Sequence, residues 1–467
     1  MATRQLALDS RPLTPVPAFP AKPTRPPAVP APPAPVPPAP AAVESLFRPA
    51  RTPNWVGPGD RWARAWGVPA AWPQPAAPQA IGPEPAGPAL PPTPEEVATI
   101  RAVLAAVRPV ADRMMAHFHA LMFLRHPELR AMFPAAMDEQ RELLFRALEQ
   151  CVRHADDPAA LRAFLVPLGG GHRKYGALPG HYVSAAECLV QALARYGGAE
   201  WDERAEAACR RLLALVSRLL VEGLEQARSA PAWWQAEVVA LRPAAQDVAV
   251  LTLRPDQAYP FRAGQYAAVE TPWWPRVWRP YSFGSAPRAD GLLTLHVKAV
   301  PAGWVSNALV HRARPGDVLR LGPAEGGMTV DHAAGENLLC LGGGTGIGPI
   351  AALVEEVAAH GPAGRRVEVF YGARRAADLY RLAELRQLAE QHRWLTVRPV
   401  LSEEGGGSDG VLSGELPEVA ARYAPWHGYT AYLSGPAAMV RAGAAALRRC
   451  GVPNGAVRHD PVGEAVA

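Results

Sequence analysis

Apolar side chains recur at three- and four-residue spacing from residue 93 to about residue 230, a period that predicts a bundle of amphipathic helices. The segments VADRMMAHFHALMF, EQRELLFRALEQCV and ERAEAACRRLLALVSRLLVEGLEQA carry it, punctuated by Pro109, Pro127, Pro134, Pro158 and Pro179. Thr93 stands at an N-cap position, with Pro94 first in the helix and Glu96 at the reciprocal capping position. After SAPAWWQAEV the period changes to two. WQAEVVALRPAAQDVAVLTLRP and LLTLHVKAV alternate as half-buried strands do, which predicts a small antiparallel β-barrel over 233–333. Over 334–467 the buried strand NLLCL is followed by the helix IAALVEEVAAH, the strand RVEVFYGA, another helix, and the strands WLTVRPVL and YTAYLSG. Strand alternating with helix predicts a doubly wound parallel α/β sheet.

Residues 1–92 have no such period. They are dominated by Pro and Ala, as in PPAVPAPPAPVPPAPA, and hold about half of the chain's 52 prolines. With so few backbone donors the stretch cannot form a helix or a core, so an extended, disordered arm is expected. Within it NWVGPGDRWARAW carries three tryptophans, either an unpacked patch or a docking element for a partner or for the globular body.

A chain of 467 residues, 49% of them hydrophobic, has material for three globular domains besides the arm. No run approaches the ~18 apolar residues of a membrane span, and Met1 to Ser10 lacks the apolar region of a secretory signal. A cytoplasmic protein without a membrane partner is expected. The five cysteines, Cys151, Cys188, Cys209, Cys340 and Cys450, are scattered and form no C-x-x-C pair, so buried apolar roles are expected rather than disulfides or zinc. The net charge of +5 rests almost wholly on arginine, the only lysines being Lys22, Lys174 and Lys298. No basic run or recognition motif points to nucleic acid.

The turn LGGGTGIGP lies between a buried strand and the start of a helix. There the backbone N–H groups of Gly344, Thr345, Gly346, Ile347 and Gly348, ahead of Pro349, can meet a pyrophosphate at the positive helix end. YLSGP supplies a second turn after a buried strand, with Ser434, Gly435 and Pro436. Upstream, RPYSF combines in one strand a cation (Arg279), Pro280, an aromatic ring (Tyr281) and a hydroxyl (Ser282), suited to a phosphate, an isoalloxazine ring and its N5 or O4. GQY adds Tyr266, and GWVSN adds a phosphate-type turn with Gly303 and Ser306. Each alone is also an ordinary strand-end turn; their occurrence together in this order carries the reading.

RPYS, G-x-x-S, GGGTGIGP, FYGAR and LSGP resemble the ferredoxin-NADP reductase family from about Trp233 onward. That resemblance implies FAD on the barrel, NAD(P)H on the parallel sheet and hydride transfer to flavin N5. The helical stretch is similar to a bacterial globin, and the whole resembles flavohaemoglobin. In AHFHALMFLRHPELRAMFP the match makes Phe133 the phenylalanine that packs on haem b, and DEQRELLF places Gln140 on the distal side of the iron. His172 in GGGHRKY matches the proximal iron ligand, Tyr182 in GHYVSAAE its partner hydroxyl and Glu222 in LLVEGLEQA its partner carboxylate. Such partners fix the imidazole tautomer and push electron density onto the metal, which favours O–O activation.

The chain departs from that family in three places. His119 stands where a tyrosine usually bonds iron-bound oxygen; on its apolar stripe with Met115, Met122 and Phe123 it can hydrogen-bond O2, ligate the iron, or be a satisfied core histidine. Gly171, often a lysine, belongs to a triple glycine expected to fray the helix before His172. Val462 replaces the aromatic residue expected over the flavin. The resemblance implies a nitric oxide dioxygenase in which NAD(P)H reduces FAD, FAD reduces the haem, and O2 bound beside Gln140 and His119 turns NO into nitrate. Two alternatives stand beside it: a haem-containing NAD(P)H oxidase or diaphorase, and a redox or gas sensor whose proline-rich arm binds a protein partner. Arg374 and Arg375 leave NADH and NADPH both open, with the resemblance favouring NADH.

Overall fold

The computed structural model describes residues 90–404 and 410–460. The arm up to residue 89, its tryptophan patch and Val462 lie outside the described residues. The helical part comprises α1 (Pro94–Val107), α2 (Ala111–Arg125), α3 (Asp138–Arg153), α4 (Pro158–Gly171), α5 (Pro179–Tyr196) and α6 (Glu203–Gln226). The capping box of α1 is formed: Thr93 N–H donates to Glu96 Oε2 at 2.8 Å and Glu96 N–H to Thr93 Oγ1 at 3.3 Å. Val97, Ile100, Val103, Leu104 and Val107 then face one core with the stripe of α6 that runs from Ala205 to Leu220.

The helix before His172 does not fray: α4 runs unbroken to Gly171. Glycine costs up to about 1 kcal/mol per helical position, but here it permits a close crossing of α4 and α6. A Cβ on Gly169 would stand 2.1 Å from the Leu220 carbonyl oxygen, and one on Gly223 only 1.9 Å from that of Val166. Backbone packs on backbone, and tertiary contact overrides local propensity. Gly223→Ala is therefore expected to destabilise the helical part by about 3 kcal/mol through overpacking, measured as a lowered denaturation midpoint of that part alone.

The barrel comprises β1 (Trp234–Ala245), β2 (Val248–Pro255), β3 (Tyr266–Thr271), β4 (Trp274–Ser282), β5 (Leu293–Lys298) and β6 (Val318–Glu325), ordered β4-β3-β6-β1-β2-β5 and antiparallel throughout. A bridge between Phe283 and Leu295 joins the two edges. Alternation puts Ala236, Val238, Leu251, Leu253, Val269 and Leu319 into one interior.

The remaining part runs β7 (Asn337–Gly343), α7 (Ile347–His360), β8 (Val367–Ala373), α8 (Leu382–Gln391), β9 (Leu395–Leu401), β10 (Leu412–Ser413), α9 (Leu416–Ala421), β11 (Tyr429–Ser434), α10 (Ala437–Arg449) and β12 (Val457–Arg458). The sheet is parallel in the order β10-β9-β8-β7-β11-β12. From β7 the chain winds outward to β10 and then returns to β11 on the other side. The crevice at the carboxyl ends of β7 and β11 is thus the switch point where nucleotides bind in such sheets. Among the described residues no helix is long and apolar enough to cross a membrane. All five cysteines are free; four are buried, and Cys450 is half-buried.

Candidate functional site

His172 opens a 3-10 turn, His172–Tyr175, directly after α4. Its Nδ1 lies 3.1 Å from the Tyr182 hydroxyl on α5, with the two rings 5.9 Å apart and 24° from parallel. Burial, with a smaller contribution from Lys174, pulls the imidazole pKa down to about 4, so the ring is neutral near pH 7. Nδ1–H donating to the Tyr182 oxygen leaves the Nε2 lone pair for a metal. Burial raises the Tyr182 phenol above its ordinary range and keeps it protonated. Glu222 is placed differently: it forms an ion pair with Arg162 across α4 and α6 and accepts a 2.6 Å hydrogen bond from Gln226. The structure thus brings His172 and Tyr182 together and leaves Glu222 on Arg162.

On α2, His119 is 4% exposed, with Nδ1 2.8 Å from the Met115 carbonyl oxygen. Its ring meets Phe133 edge-on at 5.6 Å and lies 5.8 Å from Phe123. Desolvation lowers its pKa to about 4. Its Nε2 is buried without a hydrogen-bond partner. Gln140, in the first turn of α3, is half-buried. Phe123, Phe133, Leu144, Phe164, Leu168 and Val216 pack on the helical core yet stay half-exposed. An orphaned imidazole nitrogen, a second imidazole with its Nε2 free to ligate and a set of incompletely covered apolar faces fit haem.

The turn His172–Tyr175 touches the barrel. The Tyr175 ring meets Trp278 of β4 at 6.3 Å, and Lys174, 3% exposed, has its ammonium 5.4 and 5.6 Å from the centres of those two rings. Arg276 donates to the Ala131 carbonyl at 2.9 Å, and Arg279 pairs with Glu139, the neighbour of Gln140, while also donating to the Trp278 carbonyl. Along β4, Pro280 lies opposite Ala268 and Ser282 opposite Tyr266. Tyr266 is buried, with its hydroxyl 3.4 Å from Glu325, and Tyr281 is half-buried with its phenol raised by burial. In the GWVSN turn Ser306 Oγ donates to the Gly303 carbonyl, and Asn307 donates to the carbonyls of Val300 and Gly303. These bonds, with the Val300 N–H donating to Ser306 Oγ and the Gly303 N–H to the Val300 carbonyl, close the turn on itself.

At the switch point Gly344 adopts φ +56°, and a Cβ there would meet nothing within 4 Å, so space opens above the turn. A Cβ on Gly346 would stand 2.2 Å from the Ser434 carbonyl oxygen, and one on Gly435 2.7 Å from Met439. The turn with Thr345 and the turn ending at Pro436 therefore pack backbone to backbone, with Ile347, Gly348 and Pro349 buried at the start of α7. This cradle fits a nucleotide pyrophosphate. Arg374 and Arg375 both approach Glu403 at 3.7 Å.

Two further residues here carry no local signal in the sequence. Asp460, whose Oδ1 is buried without a partner, has its carboxyl pushed up to about 6 by burial and adds to the field at Tyr266. His296 of β5 hydrogen-bonds the Tyr380 hydroxyl through Nδ1 at 2.9 Å, and its ring occupies the space that a Cβ on Gly284 or Gly348 would need. Only assembly of barrel and sheet reveals either. Burial first, then Arg381 and Arg242, lower the His296 pKa to about 3. Between that value and an unfolded pKa of about 6.5 the unfolded chain binds more protons, so stability is complete above the unfolded value and falls on acidification, by at most about 1.4 kcal/mol per pH unit. His296→Gln is expected to flatten the loss that the wild-type chain shows in denaturant titrations at about pH 5 against about pH 7.

Family models match three stretches: globin over 116–220, oxidoreductase FAD-binding domain over 236–329 and oxidoreductase NAD-binding domain over 340–444. The chain is 36% identical over 212 residues to the xylene/toluene monooxygenase electron transfer component of Pseudomonas putida, covering 44% of this chain and 59% of that relative. It is 28% identical over 307 residues to the flavohemoprotein of Bordetella pertussis, covering 61% of this chain and 75% of the relative. The crystal structure of flavohemoglobin from Malassezia yamatoensis with bound FAD and heme superposes with a TM-score of 0.65 at 19% identity, covering 79% of this chain and 98% of that one, a likeness of fold.

Proposed function

Because the chain belongs to the flavohaemoglobin family, as an NAD(P)H-dependent oxidoreductase with haem and FAD as cofactors, we propose that it is a nitric oxide dioxygenase. When bound, FAD takes hydride from the nicotinamide and releases electrons singly, and the haem iron combines O2 with NO to give nitrate. In this reading His172 holds the iron and Phe133 packs on the macrocycle. Tyr266, Arg279, Pro280, Tyr281, Ser282, Gly303 and Ser306 hold FAD, and the turns 344–349 and 434–436 hold the nucleotide.

The observation that carries the proposal is the hydrogen bond between His172 and Tyr182. It orients the imidazole and raises its donor strength, which serves oxygen activation more than storage. Gln140 supplies amide donors on the distal side. Lys174, Tyr175 and Trp278 support electron transfer by fixing the proximal turn against the flavin-binding strand. NADH is the proposed donor, because Glu403 beside Arg374 and Arg375 disfavours a 2′-phosphate. The functional divisions are 93–230, 233–333 and 334–467, acting in the cytoplasm.

The test is anaerobic reduction of the holoprotein with NADH or NADPH followed by addition of O2 and NO. Stoichiometric nitrate with rapid loss of NO is expected, with the lower KM for NADH. Peroxide as the main product without NO turnover would replace the proposal with an NAD(P)H oxidase.

A further inference from the structure

We propose that His119 is a second, displaceable protein ligand of the haem iron, closing the position opposite His172 until a diatomic gas replaces it. The inference rests on the reading of His172 as the proximal ligand and deepens it on the other face. The sequence leaves three roles for His119, and hydrogen bonding decides among them. A backbone carbonyl can only accept, so the Nδ1 that lies 2.8 Å from the Met115 oxygen carries the ring's proton. A neutral imidazole has one N–H. Nε2 therefore presents a lone pair and cannot donate to a bound gas molecule.

A satisfied core histidine is excluded as well, because Nε2 is buried without a partner. Buried polar atoms are nearly always paired, so an unpaired one asks for an explanation, and here the surroundings supply it. Phe133, the residue read as packing on haem, lies edge-on to this ring, with Phe123 beside it. Metal-bound histidines regularly donate the other ring N–H to a backbone carbonyl or a similar acceptor, and His119 does so to Met115. His172 has the Tyr182 hydroxyl, which can accept such a bond, 3.1 Å from its Nδ1. The Met115 carbonyl holds His119 of α2 in the one tautomer that leaves Nε2 free to ligate, and His172 at the end of α4 reaches the same tautomer when its Nδ1–H donates to Tyr182. Donation to bound O2 then falls to Gln140.

An internal ligand lowers apparent gas affinity by the fraction of time that the position is open; at ~10% open the loss is about tenfold. The test uses the full-chain holoprotein in the ferrous, anaerobic state. Optical and resonance Raman spectra are expected to show low-spin, six-coordinate iron, and CO association is expected to level off with rising CO because His119 must leave first. H119L is expected to give five-coordinate, high-spin iron with CO binding about tenfold faster. Five-coordinate wild-type iron with CO association linear in concentration would overturn the proposal, as would a low-spin spectrum unchanged in H119L. If H119L does not fold, the wild-type CO kinetics decide. Nitrate formation reports separately: five-coordinate protein that makes nitrate overturns ligation by His119 and leaves the activity, whereas low-spin protein whose CO binding levels off but which makes no nitrate upholds ligation and overturns the activity.

Discussion

His172→Ala is expected to cut nitrate formation at least about a hundredfold, the upper range for losing even a supporting residue of a metal ligand, while NADH-driven reduction of ferricyanide through the flavin continues unchanged. The two outcomes separate because the proximal turn belongs to the helical part, whereas the flavin and nucleotide sites lie on the barrel and sheet. The turn meets the barrel through Lys174 and Tyr175, whose contacts with Trp278 the substitution spares. Haem content, the Soret spectrum and both activities measured on one preparation check it. Unchanged nitrate formation with an unchanged spectrum would put the iron on another side chain.

Gly346→Val should act at the other end of the electron path. Its Cβ would stand 2.2 Å from the Ser434 carbonyl oxygen, so one of the two turns proposed to hold the nucleotide must move. A displacement of about 1 Å at a hydride-transfer site can cost about a hundredfold in rate, and stopped-flow reduction of the flavin by NADH is expected to slow to that degree. FAD content and reduction by dithionite should be unaffected, since the clash lies between β7 and β11 and not in the barrel. If NADH reduces the variant's flavin at the wild-type rate, the two turns do not form the nucleotide site.

Much of this was legible beforehand, wherever a local rule sets the outcome. The capping box at Thr93 and Glu96 formed as its residues imply, because its bonds span three residues of one chain segment. The strand, glycine turn and helix formed where NLLCL runs into GGGTGIGP, since glycines let the chain turn sharply from a buried strand into a helix. The helix through residues 169–171 departs from the local rule for the converse reason: propensity disfavours it, and the contact that rescues it comes from Gly223 in another helix. His296 and Asp460 carried no local signal, because their perturbation comes from packing across domains and chain segments far apart in sequence.

By itself the sequence determined the order of the three folds and where the glycine turns fall between strand and helix, because period, capping and glycine placement act within a few residues. Only the tertiary structure decided which partners those side chains take. Glu222 lies on Arg162, Arg279 on Glu139, and His119 gives its one proton to Met115. A side chain's donors and acceptors are written in its chemistry, but which of them stays unspent depends on what the fold brings within 3 Å, and in His119 that leftover lone pair is what points to the iron.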